Sequence, residues 1–199
     1  MQIPSKKECY QLIHEMEMKD HIAAHSIQVY RVATLLADHL MNQHINLNQD
    51  LIQASALLHD ITKTRSFQTG ENHALTGEHL LTRLGYAQVG NIVRQHVQLD
   101  KYTSSGSPTE PEIVNYADKR VLHDKVVPLR DRLNYILEKY GKKLKKEERI
   151  RQIWKNTEEL ENKIFRKLLF LPEEISALLP EDFSEEISAY HKACSQANP

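Results

Sequence analysis

The chain has 199 residues, 40% hydrophobic and 27% charged, which supports a buried core under a solvated surface and excludes a disordered or collagen-like chain. Lys plus Arg number 26 against 27 Asp plus Glu, so no general field attracts nucleic acid or anionic membrane, and a nucleic-acid role would need a local patch. Cys9 and Cys194 lie far apart without a CxxC pattern, and no apolar run approaches the ~20 residues of a spanning helix, so a reducing, cytoplasmic setting is expected.

Gly and Pro are scarce, and the apolar residues follow the helical period almost throughout, so an all-α fold is expected. Ser5 and Glu8 form a capping-box pair ahead of Cys9, Leu12, Ile13 and Met16, which marks a first helix. A second runs from about Asp20 to His44, with Val29, Val32, Leu36 and Leu40 on one face. Asn48 or Asp50 can cap a third, central helix through Leu51, Ala54, Leu57 and Leu58, ending at His59-Asp60. Residues 62–72 read as a loop. His73 opens a fourth helix that stops at Gly85, a fifth covers about Ala87 to Val97, and residues 98–111 form a surface loop rich in Ser, Thr, Gly and Pro. A sixth helix begins at Glu112, and a seventh lies between Pro128 and Gly141.

After Gly141 the composition shifts. Lys142, Lys143, Lys145, Lys146, Arg149 and Arg151 surround Glu147 and Glu148, a solvated helix start or a phosphate-attracting rim, and the helix continues toward Leu171 before Pro172. Residues 1–141 are expected to form the main domain, with 142–199 a C-terminal helical appendage packed on it through Ile150, Ile153, Trp154, Leu160, Ile164 and Leu168.

The chain has 11 histidines, and several fall on faces that should be buried. His25 shares a stripe with Val29, Val32 and Leu36, His73 aligns with Gly77, Leu80, Leu81 and Leu84, His96 follows Val89, Ile92 and Val93, and Asp118 follows Val114 and Ala117. With His59 and Asp60 they make six imidazole and carboxylate groups on the inner faces of five helices. Mutual hydrogen bonds hardly satisfy so many, and a divalent cation does. His79 lies six residues after His73 and competes for its role, though the spacing to Gly77 favours His73. His14, His21, His39, His44, His123 and His191 fit no ligand pattern.

The order His25, His59-Asp60, Asp118 resembles the signature of HD-domain metal-dependent phosphohydrolases, and His59-Asp60-Ile61-Thr62-Lys63 is close to the variant with Gly after Ile, with Thr62 in its place. His73-x-x-x-Gly77 and Ile92-x-x-x-His96 resemble the dinuclear subset, such as bacterial dinucleoside tetraphosphate hydrolases. The resemblance covers about residues 20–126 and implies an HD-domain helical bundle. It implies that His25, His59, Asp60 and Asp118 hold one metal and that Asp60 bridges to a second, completed by His73 and His96. Donors without thiolate suit Fe, Mn, Co, Ni or Zn. The implied reaction is hydrolysis of a phosphoester or phosphoanhydride of a small nucleotide or related phosphorylated metabolite, by a hydroxide generated between the ions. Asp60 and Lys63 carry it, and Lys63, Arg65, Lys119 and Arg120 are candidates for binding substrate phosphate. A mononuclear nucleotidase or phosphodiesterase and a non-catalytic nucleotide-sensing module are the alternatives, and a homo-oligomer is compatible with either.

Overall fold

The computed structural model describes residues 2–141, 144–180 and 184–196, and in them helices dominate. Helix α1 (Lys6–Glu15) starts on the expected capping box: the Ser5 amide donates to the Glu8 carboxylate at 2.7 Å, and the Glu8 amide returns to Ser5 Oγ. Helix α2 (Asp20–Asn42) is the long central element. Its Val29, Val32, Leu36 and Leu40 are fully buried, each worth about 1.5–3 kcal/mol of transfer free energy. It stops before His44, whose φ of 60° leaves the helical region. Helix α3 (Gln49–Leu58) packs along α2 and is capped by Asn48, whose side chain accepts from the Leu51 amide.

Residues 62–72 are not all loop. Lys63–Thr69 form α4, ended by Gly70 at φ 72°. No residue of α4 is buried, so it lacks the apolar stripe by which a helix is read from sequence. Helix α5 (His73–Arg83) is capped by Asn72, and α6 (Ala87–Gln95) lies tightly against it. The approach depends on Gly90, where an added Cβ would stand 2.9 Å from the Glu78 carbonyl oxygen and 3.3 Å from its Cα. Backbone cannot yield as a side-chain tip can. Gly90→Ala should therefore cost about 1–3 kcal/mol, lowering Tm by about 3–10 °C in a thermal melt; an unchanged Tm would contradict this packing.

Helix α7 (Glu110–Lys119) begins two residues before the expected Glu112 because Thr109 caps it, its amide donating to Glu112 at 3.0 Å while Pro111 fits the first turn. A hairpin follows that periodicity did not reveal: β1 (Val121–Leu122) pairs antiparallel with β2 (Lys125–Val126) around His123, at φ 56°. Two-residue strands are too short to show alternation. Helix α8 (Leu129–Tyr140) leads to α9 (Leu144–Phe165). Helix α9 ends short of Leu171, where Lys167 and Leu168 turn back to the carbonyls three residues earlier and Phe170 packs on Phe165. A 3-10 turn (Pro172–Glu174), α10 (Ile175–Leu178) and α11 (Ser184–Gln196) complete the chain.

Two clusters make up the core. One gathers α2, α3 and α7 with Leu160, Ile164 and Leu168 of the C-terminal part. The other joins α1, α2, α3, α5 and α6 to Tyr190 and Ala193 of α11. Trp154 is buried and donates its indole N–H to the Leu129 carbonyl at 3.0 Å, which fixes α9 on α8. Lys142 and Lys143 of the basic run lie outside the described residues; Arg151 pairs with Glu147 and Arg149 reaches Gln98. No helix among the described residues is long and apolar enough to cross a membrane.

Candidate metal centre

Five helices deliver the six expected side chains to one place. His25 comes from α2, His59 and Asp60 from the end of α3, His73 from the first turn of α5, His96 from the end of α6, and Asp118 from the last turn of α7. They form two groups, His25–His59–Asp118 and Asp60–His73–His96, in each of which one nitrogen or oxygen per residue lies within 4.8 Å of the others. Asp60 joins the groups: its Oδ2 is 3.3 Å from His59 Nε2, while its Oδ1 is 3.3 Å from His73 Nε2 and 3.6 Å from His96 Nε2. His79 is exposed on the far side of α5.

Backbone carbonyls fix the rings. His59 Nδ1 donates to the Ala56 carbonyl at 2.8 Å, His96 Nδ1 to that of Val93 at 2.6 Å, and His25 Nδ1 to that of His123 at 2.8 Å. Each ring thus carries its proton on Nδ1 and turns the Nε2 lone pair inward. The lone pairs then face other acceptors. His25 Nε2 is 3.1 Å from Asp118 Oδ1, His73 and His96 approach Nε2 to Nε2 at 3.1 Å, and the buried His59 Nε2 and Asp60 Oδ1 have no hydrogen-bond partner. Buried imidazole lone pairs and carboxylate oxygens converge without enough donors among them, and such a donor set fits divalent metal.

At His96 and His25 a proton is a poor substitute for that cation. Burial, then the neighbouring imidazoles, hold His96 well below the usual histidine range, and burial lowers His25 despite Asp118. At His59 burial also opposes charge, but Asp60 and Asp118 outweigh it and raise the pKa. The carboxylates ionise readily: burial is overcome by Lys63 and His59 at Asp60, and by Lys119 and His25 at Asp118, leaving both well below the ordinary range.

The surrounding side chains set these positions. Thr62, standing where the resembling motif has glycine, donates to the His73 carbonyl at 2.8 Å and ties α5 to the turn that carries Asp60. Asn115 Nδ2 reaches the carbonyls of Gln95 and His96 at 2.9 and 3.0 Å, and Lys119 also donates to His96, so α7 closes the end of α6.

Above the two groups opens a cavity of about 530 Å³, reached by His25, Asp60, His73, His96, Asp118, Lys63 and Lys119 on its floor. Tyr135, Ile136, Tyr140, Ile150, Ile153 and Trp154 form an apolar wall, and His21, Phe67, His123, Arg132 and Lys139 also line it. Of the expected phosphate contacts, Lys63 sits 2.7 Å from Asp60 Oδ2, and Lys119 is buried beside Asp118. The other two do not line this cavity. Arg65 pairs with Glu71 at 3.0 Å, and Arg120 turns toward Val127, Tyr116, Glu161 and Pro172, anchoring the C-terminal part.

The HD domain model matches residues 22–154, two thirds of the chain. The chain belongs to the HD domain family. An HD domain is generally a metal-dependent hydrolase fold that binds divalent metal, and the match runs past Gly141 into α9 as far as Trp154. The chain is also 30% identical over 154 residues to a tRNA (cytidine(56)-2'-O)-methyltransferase of Thermoplasma volcanium, and 28% identical over 154 residues to the protein of the same name in Picrophilus torridus. Each alignment covers 71% of this chain and 42% of the relative, so this chain spans less than half the length of the relatives it matches. No solved structure matches significantly.

Sequence reasoning missed several parts of this HD domain site. Arg132, Tyr135, Ile136, Lys139 and Tyr140 share one face of α8 at helical spacing, a pattern that could have marked a cavity wall. Nothing in residue identity marks the role of His123, which contributes its backbone carbonyl.

Proposed function

We propose that the protein is a metal-dependent phosphohydrolase that cleaves a phosphoester or phosphoanhydride bond of a small nucleotide. The observation that carries this reading is the pair of donor groups sharing Asp60 beneath a cavity with cations on its floor and aromatic rings on its wall. His25, His59 and Asp118 would hold one ion and Asp60, His73 and His96 a second. Divalent ions held there would supply an acidified water and charge to offset the phosphoryl oxygens.

The chain's own groups complete the chemistry. The carbonyls of Ala56, Val93 and His123 keep the imidazoles in the ligating tautomer. Lys63, whose side chain is 26% exposed at the cavity floor, places an ammonium against a phosphoryl oxygen as negative charge develops there. Tyr135 and Trp154 give a base a surface that excludes water. The methyltransferase name belongs to relatives most of whose length this chain does not match, and phosphoryl chemistry suits this donor set.

Elemental analysis of freshly purified protein, run beside a panel of nucleotides and phosphoesters with Mn²⁺, Fe²⁺ or Co²⁺, tests the reading. Two equivalents of metal per chain with phosphate release support it. One equivalent points to a mononuclear enzyme, and nucleotide binding without release to a sensor. Lys63→Ala should lower kcat/KM about a hundredfold while metal content stays unchanged; loss of metal in this variant would contradict the assigned role.

A further inference from the structure

Four cations line the cavity: Lys63, Lys119, Arg132 and Lys139. Three of them donate to the chain itself. Lys63 reaches Asp60, Lys119 reaches the His96 carbonyl and Asp118, and Lys139 reaches Tyr135 Oη at 3.1 Å. Arg132 differs. Its side chain is only 11% exposed, its Nε is buried without a partner, and its contact with Asp118 Oδ1, at 3.7 Å, is too long for a hydrogen bond. Among the described residues the guanidinium makes no hydrogen bond. Arg120, also buried, donates to four groups.

A buried guanidinium offers five donors in a fixed fork, and leaving them unmatched is costly. The cost rises when a divalent ion occupies the donor group containing Asp118, because the counter-charge facing Arg132 is then shared with that ion. An anion placed between the guanidinium and the metal ligands relieves both the unmet donors and the repulsion, and the guanidinium fork matches phosphate.

We propose that Arg132 forms a second anion subsite beside the metal centre, which selects substrates bearing a further phosphate next to the one being cleaved. This rests on the phosphohydrolase reading and narrows it to nucleoside di- or polyphosphates in preference to monoesters. Arg132 stands one turn below Tyr135 and Ile136 on α8, its guanidinium carbon 5.9 Å from the Tyr135 ring centroid. The same helix face thus offers a charged end to the phosphate chain and an apolar stretch to the nucleoside.

Binding tests this without turnover. Imidodiphosphate, in which N–H replaces the bridging oxygen, and inorganic phosphate are titrated calorimetrically into the Mn²⁺-loaded protein, its R132Q and R132K variants, and the chelated protein. The wild-type protein should prefer imidodiphosphate. R132Q should lose about tenfold to a hundredfold in affinity for it, change less than about threefold for phosphate, and retain its metal. R132K, which keeps the charge but not the fork, should fall between, and carries the same comparison should R132Q fail to fold. Equal losses on both probes, no loss on either, or loss of metal from R132Q would overturn the proposal and leave Arg132 as a counter-charge to Asp118. Retained imidodiphosphate selectivity in a protein that hydrolyses no nucleotide would reject the phosphohydrolase reading and keep the subsite.

Discussion

Asp60→Ala is expected to remove both metal equivalents and to reduce phosphate release by about a thousandfold or more. The expectation follows from the position of a single side chain between two groups. Asp60 is fully buried, with one oxygen 3.3 Å from His59 Nε2 and the other 3.3 Å from His73 Nε2. Its loss deprives both groups of an anionic donor and leaves the four imidazoles of the site with only Asp118 to offset cationic charge. His73→Ala should behave differently, since His73 belongs only to the group of Asp60 and His96: one equivalent leaves and one remains. Elemental analysis of the two variants beside the parent reads this directly. Two equivalents retained by Asp60→Ala would refute the shared-carboxylate arrangement.

Chelation should produce the largest change in stability. A ligand at a hundred times its Kd stabilises the folded state by about 2.7 kcal/mol per site, and a chain of this size gains about 2–4 °C in Tm per kcal/mol. Excess EDTA should therefore lower Tm by about 5–10 °C if one site empties and about 10–20 °C if two do, with no effect on Asp60→Ala. The increment should shrink on acidification. Although burial opposes it, Asp60 and Asp118 raise the pKa of His59, so its Nε2 takes a proton in competition with metal as pH falls through that raised value. His25 and His96, lowered mainly by burial, stay neutral further into acid and do not set the midpoint. Melts with and without EDTA at pH 8 and pH 6 check the sign; a larger increment at pH 6 would contradict it.

The parts of the fold legible in the sequence were those that bury a stripe. Helices α1, α2, α3, α5, α6 and α8 carry apolar residues at helical spacing, and the polar ligands stood out because they interrupt those stripes. Helix α4 has no fully buried residue, and the β1–β2 hairpin is two residues per strand, so neither leaves a periodic trace. Arg65 and Arg120 looked equivalent to Lys63 and Lys119 because the sequence gives charge but not direction. Glu71 draws Arg65 outward, and Glu161 with the Val127 and Pro172 carbonyls draws Arg120 to the opposite side of α7. The buried pair of Glu112 with Lys163, at 2.7 Å, was hidden for the same reason: its partners are 51 residues apart.

The three carbonyls that hold His25, His59 and His96 belong to the main chain. A codon change alters what hangs from Ala56, Val93 or His123 but cannot delete the oxygen that each contributes. The orienting layer of this centre is therefore insulated from point mutation and yields only to changes that shift whole segments, such as an insertion in the hairpin loop. Homologues can drift at these three positions and still present the same ring faces, so the ligands would outlast the identity of the residues that aim them.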